Sequence, residues 1–136
     1  MKSVLSILAL CMISFLIPGC TEEGDPNDLF DDRDQFLGTW DVSETRKKDF
    51  YSVTIIKDPS NSSQVLIRDF YHILNCTDPP YGIVTGSSIY LPTQGFCDNS
   101  FEVNGSGKLN KNQIEWTYTV NDGSNEHTYT AIYTKQ

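Results

Sequence analysis

The sequence predicts an all-β domain, a small antiparallel up-and-down meander of about eight strands, and three observations predict it. From Phe36 onward apolar residues recur at period two, and no window has a convincing helical period. Clusters of turn-forming residues separate the runs, as in Asn110-Lys111-Asn112 and Asn121-Asp122-Gly123-Ser124. The runs are short and regularly spaced, which argues for a barrel or a sandwich.

The strand-like runs are 38–43, 50–57, 64–74, 82–85, 88–91, 101–109, 113–120 and 126–134. Asp58-Pro59-Ser60-Asn61 closes the second. In the third, Val65, Ile67, Asp69, Tyr71 and Ile73 share one parity that looks inward. A buried carboxylate must be paired, so Asp69 is read first as turned outward by a β-bulge or held in an internal ion pair, and otherwise as a polar contact in a ligand cavity. In the sixth, Phe101, Val103, Gly105, Gly107 and Leu109 fall together, the glycines marking a bend or room opposite Trp116. In the seventh, Ile114, Trp116, Tyr118 and Val120 point one way and Glu115, Thr117 and Thr119 the other. In the eighth, Tyr129, Ala131 and Tyr133 oppose Thr128, Thr130 and Thr134. One apolar and one polar face per strand suit a half-solvated antiparallel sheet.

Composition narrows the function. Ten basic side chains face 18 acidic ones, for a formal charge of −8 over 136 residues. That balance lacks the basic footprint of a nucleic-acid binder and of a basic membrane-surface module. The length leaves room for one domain.

The N-terminus reads as an export segment. Lys2 precedes an apolar run at 4–17, too short for the ~20 residues of a membrane span. The following Ile17-Pro18-Gly19-Cys20 resembles the lipobox of bacterial lipoproteins, although Pro18 replaces the usual small residue. That resemblance implies a signal peptide at 1–19 and lipidation of Cys20. Several acyl chains, at about 0.8 kcal/mol per buried CH₂, anchor stably where one does not. The stretch TEEGDPNDLFDDRD then carries seven acids against Arg33 alone, and self-repulsion makes it an extended tether, 20–35. Acids directly after the lipidated Cys are similar to the signal that sends lipoproteins of the Bacteroidetes to the outer cell surface. The expected location is therefore the outer membrane, facing outward.

The folded residues, 36–136, carry a second resemblance. Gly38-Thr39-Trp40, Ile89-Tyr90-Leu91-Pro92-Thr93-Gln94 and the ending GSGKLNKNQIEWTYTVNDGSNEHTYTAIYTK look like the lipocalin-like lipoproteins of Bacteroidetes. The resemblance implies that the strands close into a lipocalin-like barrel, with Trp40 plugging its closed end. About 100 residues make a smaller barrel than a typical lipocalin. Eight strands enclose a space that side chains fill or that holds one small ligand.

Cys11 leaves with the signal and Cys20 is taken by lipid, so Cys76 and Cys97 remain and are expected to form a disulfide. Reactive thiols or a zinc site lack partners: no CxxC occurs, and His72 and His127 have no ligand spacing. No nucleophile motif or carboxylate pair stands out, so neither an enzyme, a metal nor a cofactor is expected. His72 shares a polar face with Arg68.

The leading expectation is non-enzymatic binding of a small or polymeric ligand, with inward Trp40, Asp69, Tyr71, Trp116, Tyr118 and Tyr133 as candidate contacts. A packed core would count against a ligand inside the barrel. The alternative is a protein-interaction module, such as an inhibitor or an accessory subunit of a surface complex. It would act through the loop Asp78-Pro79-Pro80-Tyr81-Gly82, with Tyr81 exposed on rigid prolines.

Overall fold

The period-two alternation of the chain closes on itself. The computed structural model describes residues 30–46 and 50–136; the segment expected to be a signal peptide, Cys20 and most of the expected tether lie outside them. The strands are β1 (Gly38–Glu44), β2 (Tyr51–Lys57), β3 (Gln64–Arg68), β4 (Tyr81–Thr85), β5 (Ser88–Phe96), β6 (Phe101–Asn110), β7 (Gln113–Asn121) and β8 (Glu126–Lys135). All neighbours are antiparallel and follow chain order, and β8 pairs with β1 to complete a closed barrel. The fold is the expected up-and-down barrel.

The expected faces of β7 and β8 hold. Ile114, Trp116, Tyr118, Val120, Tyr129, Ala131 and Tyr133 are all buried. Trp40, Tyr118, Tyr133, Phe36, Phe70 and Phe96 fill much of the interior, none more than 2% exposed. Each such ring contributes roughly 1.5–3 kcal/mol over an exposed one. The sixth strand needs its inner glycine: a Cβ on Gly107 would lie 2.7 Å from Trp116 Cδ2.

One end is closed by a 3₁₀ turn, Asp32–Phe36, at the end of the stretch read as an extended tether. Phe36 inserts into the barrel and its carbonyl accepts the Trp40 indole N–H at 2.8 Å. Asp31 pairs with Arg33 at 2.6 Å and with Lys57 at 2.9 Å. Arg33 reaches the carbonyls of Asn61 and Gln64, while Asp32 accepts the Gly86 N–H. Acids next to one another in sequence are thus held apart by cations and backbone donors, and the repulsion that would keep them extended is offset.

The third strand is shorter than its alternation suggests. It stops at Arg68, because Asp69 adopts left-handed backbone (φ 59°), which Asp tolerates better than most residues. That twist shifts the parity by one. Phe70, rather than Asp69 or Tyr71, enters the core, in a 3₁₀ turn spanning Phe70–His72. β5 runs longer than expected, to Phe96, past an irregularity between Leu91 and Gln94 where Pro92 has no N–H to donate. Cys76 and Cys97 form the expected disulfide, with Cα atoms 5.1 Å apart, and tie the 69–80 segment to the end of β5.

Candidate functional site

The end of the barrel opposite the N-terminal turn holds a buried carboxylate. Trp40, Val42 and Glu44 alternate along β1, and the parity that buries the first two also buries Glu44, at 7% exposure. Glu44 Oε1 accepts from the Tyr51 hydroxyl at 2.5 Å and from the Tyr118 hydroxyl. Glu44 Oε2 has no hydrogen-bond partner and neither has Trp116 Nε1 nearby, while the buried Tyr133 hydroxyl stands beside those of Tyr51 and Tyr118 without a well-formed hydrogen bond. Among the described residues no Lys or Arg pairs with Glu44. Burial, reinforced by neighbouring phenols and by Glu44, holds the hydroxyls of Tyr51, Tyr118 and Tyr133 protonated well beyond the ordinary tyrosine range.

Aromatic rings stopper this end. Phe70 packs 5.0 Å from the Tyr118 ring and 5.6 Å from Phe96, centroid to centroid. The Tyr71 and Tyr129 hydroxyls share a 2.6 Å hydrogen bond, and burial raises the Tyr71 phenol likewise. His72 is exposed and stacks on Tyr51 at 5.0 Å, rather than sharing a solvated strand face with Arg68.

The outside of the wall carries a groove of about 580 Å³. Its floor is a row of exposed hydroxyls, since Ser106 pairs with Thr117, Thr117 with Thr130, and the Thr45 N–H donates to the Thr130 carbonyl. Lys108 and Glu115, opposite each other in the ladder, supply one charge of each sign, and Ile132 adds an exposed apolar side chain. Tyr90, opposite Ser106 on β5, extends the row with a ring that is 54% exposed.

The candidate contacts therefore separate. Trp116, Tyr118 and Tyr133 cluster around Glu44. Trp40 lies at the other end against Phe36. Tyr71 is half-buried at the stopper. Asp69 leaves the interior altogether: it borders an outer depression with Arg68, Asn75 and Thr77, because its left-handed backbone ends the strand. Tyr81 is no loop tip. It opens β4, half-buried, and the Gln94 side-chain amide binds both its N–H (2.9 Å) and its carbonyl (2.7 Å), replacing the ladder lost at the β5 irregularity. An open cavity is not what these side chains make: Trp40 and Tyr133 are 0% exposed, so no water-sized space adjoins them.

Glu44 is the residue that sequence reasoning missed. Ending the first strand at residue 43 hid it, although its parity with Trp40 and Val42 marks it as inward. Among the described residues no cluster of three or more His, Cys, Asp or Glu side chains is placed to hold a metal ion. No protein-family model matches the chain, and no curated protein matches it.

Proposed function

We propose that this protein is a lipid-anchored binding protein of the bacterial cell surface, non-enzymatic, which recognises an uncharged, hydroxyl-bearing polymer on the outer wall of its barrel. The anchor rests on the Ile17-Pro18-Gly19-Cys20 motif and the acidic residues after it. The observation that carries the binding reading is the contrast between a filled interior and the open groove outside.

The chemistry of the groove narrows the ligand. A closed barrel offers no free sheet edge, so an extended peptide has no strand to pair with, and recognition falls to side chains. Those side chains are hydroxyls with one balanced pair of charges, which favours neither a polyanion nor a polycation. From Tyr90 to Thr45 the row crosses four strand spacings of about 4.8 Å, about 19 Å in all, which suits a chain more than a compact molecule. The exposed Tyr90 ring supplies a flat apolar platform with a polar tip. The protein-interaction alternative loses its specific support, since Tyr81 is held in β4.

Affinity electrophoresis of the mature protein in gels containing dextran or hydroxyethylcellulose tests this reading. Retardation is expected in at least one gel, and is expected to disappear in Tyr90→Ala and Thr117→Arg, both surface changes that leave the melting temperature unchanged. Free migration in both gels, or retardation that survives both substitutions, refutes it.

A further inference from the structure

A carboxylate in a protein core is costly unless it is paired, and one oxygen of Glu44 is not. The surrounding groups do not complete it as they stand: the nearby Tyr133 hydroxyl and Trp116 Nε1 are themselves without a hydrogen bond to it. Tyr51 and Tyr118 both donate to Oε1, and no cation stands near Oε2 among the described residues. A barrel needing only a core would place an apolar side chain here, and broken local rules concentrate at functional sites.

The surroundings describe what is missing. In the β1–β8–β7 ladder Glu44 lies opposite Ala131, and Ala131 opposite Trp116. The Trp116 ring leans over Gly107 on the other side, so the small Ala131 separates indole from carboxylate. Tyr51, Tyr118, Tyr129 and Tyr133 crowd the same end, giving one negative charge among aromatic rings. Carboxylate and ring faces together favour a cation over any neutral guest.

Access to the carboxylate would run through the Phe70 stopper. Phe70 occupies a ring-sized space against Tyr118 and Phe96, and the Tyr118 hydroxyl in turn contacts the carboxylate. The turn that holds it there has left-handed backbone at Asp69, Tyr71, His72 and Asn75 (φ 59°, 59°, 60° and 61°); Asp, His and Asn tolerate it, so the strain falls on Tyr71. The strained residue adjoins Phe70 in the same turn. We propose that the barrel interior beneath Phe70 is a binding site for a small ligand bearing a protonated amine on an aromatic or similarly flat body, with Glu44 as its counter-ion. The ligand body takes the place of the Phe70 ring, and its ammonium group reaches Oε2. This site lies on the inner face of the wall whose outer face carries the groove, and Glu44, Gly107, Trp116 and Ala131 border both, but its ligand does not depend on the groove being occupied.

Benzylammonium is the probe, and benzyl alcohol its neutral counterpart. Binding to the mature protein is read by tryptophan fluorescence, since Trp116 lines the site, and by thermal shift. Benzylammonium is expected to bind the wild type at least about tenfold more tightly than benzyl alcohol. It is expected to bind Phe70→Ala more tightly still, because the space is then vacant. Glu44→Gln keeps the shape and removes the charge, and is expected to erase the preference for the amine. Equal affinity for the two probes, a preference that survives Glu44→Gln, or no binding by either wild type or Phe70→Ala overturns the proposal. If Glu44→Gln does not fold, the amine-to-alcohol ratio in wild type and Phe70→Ala decides alone. Tyr90→Ala, which tests the outer groove, is expected to leave that ratio unchanged.

Discussion

Gly107 on β6 lies directly opposite Trp116 on β7, and the indole covers the place where a side chain at 107 would stand. A Cβ there would come within 2.7 Å of Trp116 Cδ2 and 2.9 Å of both Ile114 Cγ2 and Ile89 Cγ2. These are core atoms with neighbours behind them, so they cannot withdraw cheaply. Gly107→Ala is expected to destabilise the fold by about 1–3 kcal/mol, the range for overpacking a filled core. Denaturant unfolding of the variant measures it, and an unchanged midpoint would show that Trp116 has room to shift.

The closed end depends on Trp40 in a different way. Its indole N–H reaches the Phe36 carbonyl inside the barrel, joining the N-terminal turn to β1. Trp40→Phe keeps an aromatic ring but removes the donor from a buried acceptor, at a cost of about 1–3 kcal/mol. Because the bond holds the turn, hydrogen exchange should accelerate first in residues 32–37. Uniform acceleration across all strands would show that the bond stabilises the barrel as a whole.

The strictness of alternation explains which parts of this fold can be read from the chain. β7 and β8 alternate without interruption, and every inward residue assigned there is buried. At Asp69 one left-handed residue reverses the parity. The apolar spacing of Tyr71 and Ile73 continues past it unchanged, so the one mark of the break is the carboxylate itself on an apolar parity. Tyr81 misleads for a related reason. Pro79-Pro80 reads as loop, whereas the residue that fixes Tyr81 in the sheet is Gln94, thirteen positions on, through a side-chain amide that no strand pattern registers. The sequence also counts aromatic rings without saying whether they line a space or fill it, and here Phe70 helps to fill it.

Acid should release the N-terminal turn. Hydrogen bonds from Arg33 and then Lys57 hold the Asp31 carboxyl well below its ordinary 3.8. A carboxyl lowered in the folded state contributes stability that is fully present above its unfolded value and is lost as pH falls toward the folded one. Trp40 fluorescence is expected to hold steady from neutral pH down and then change below 3.8. Lys57→Met should move the change to higher pH by removing one of the two cations. A signal that stays flat until the whole barrel unfolds would mean that the turn does not depend on this charge cluster.

Alkali tests the tyrosine cluster from the other side. Burial raises the phenols of Tyr51, Tyr118 and Tyr133 above their ordinary 10.0, with Glu44 adding to the shift. An acid whose folded value is raised contributes stability that is complete below its unfolded value and declines as pH climbs beyond it. These three hydroxyls should therefore not ionise one by one in the folded barrel. Their phenolate absorbance is expected to appear above pH 10.0 in one step with the loss of near-ultraviolet circular dichroism. Tyr118→Phe removes one buried phenol and one donor to Glu44, and should shrink that step by one tyrosine. Phenolate absorbance from this cluster that grows while the dichroism stays native would show that hydroxide reaches the carboxylate end without unfolding. The Phe70 stopper would then already open on the timescale of the titration.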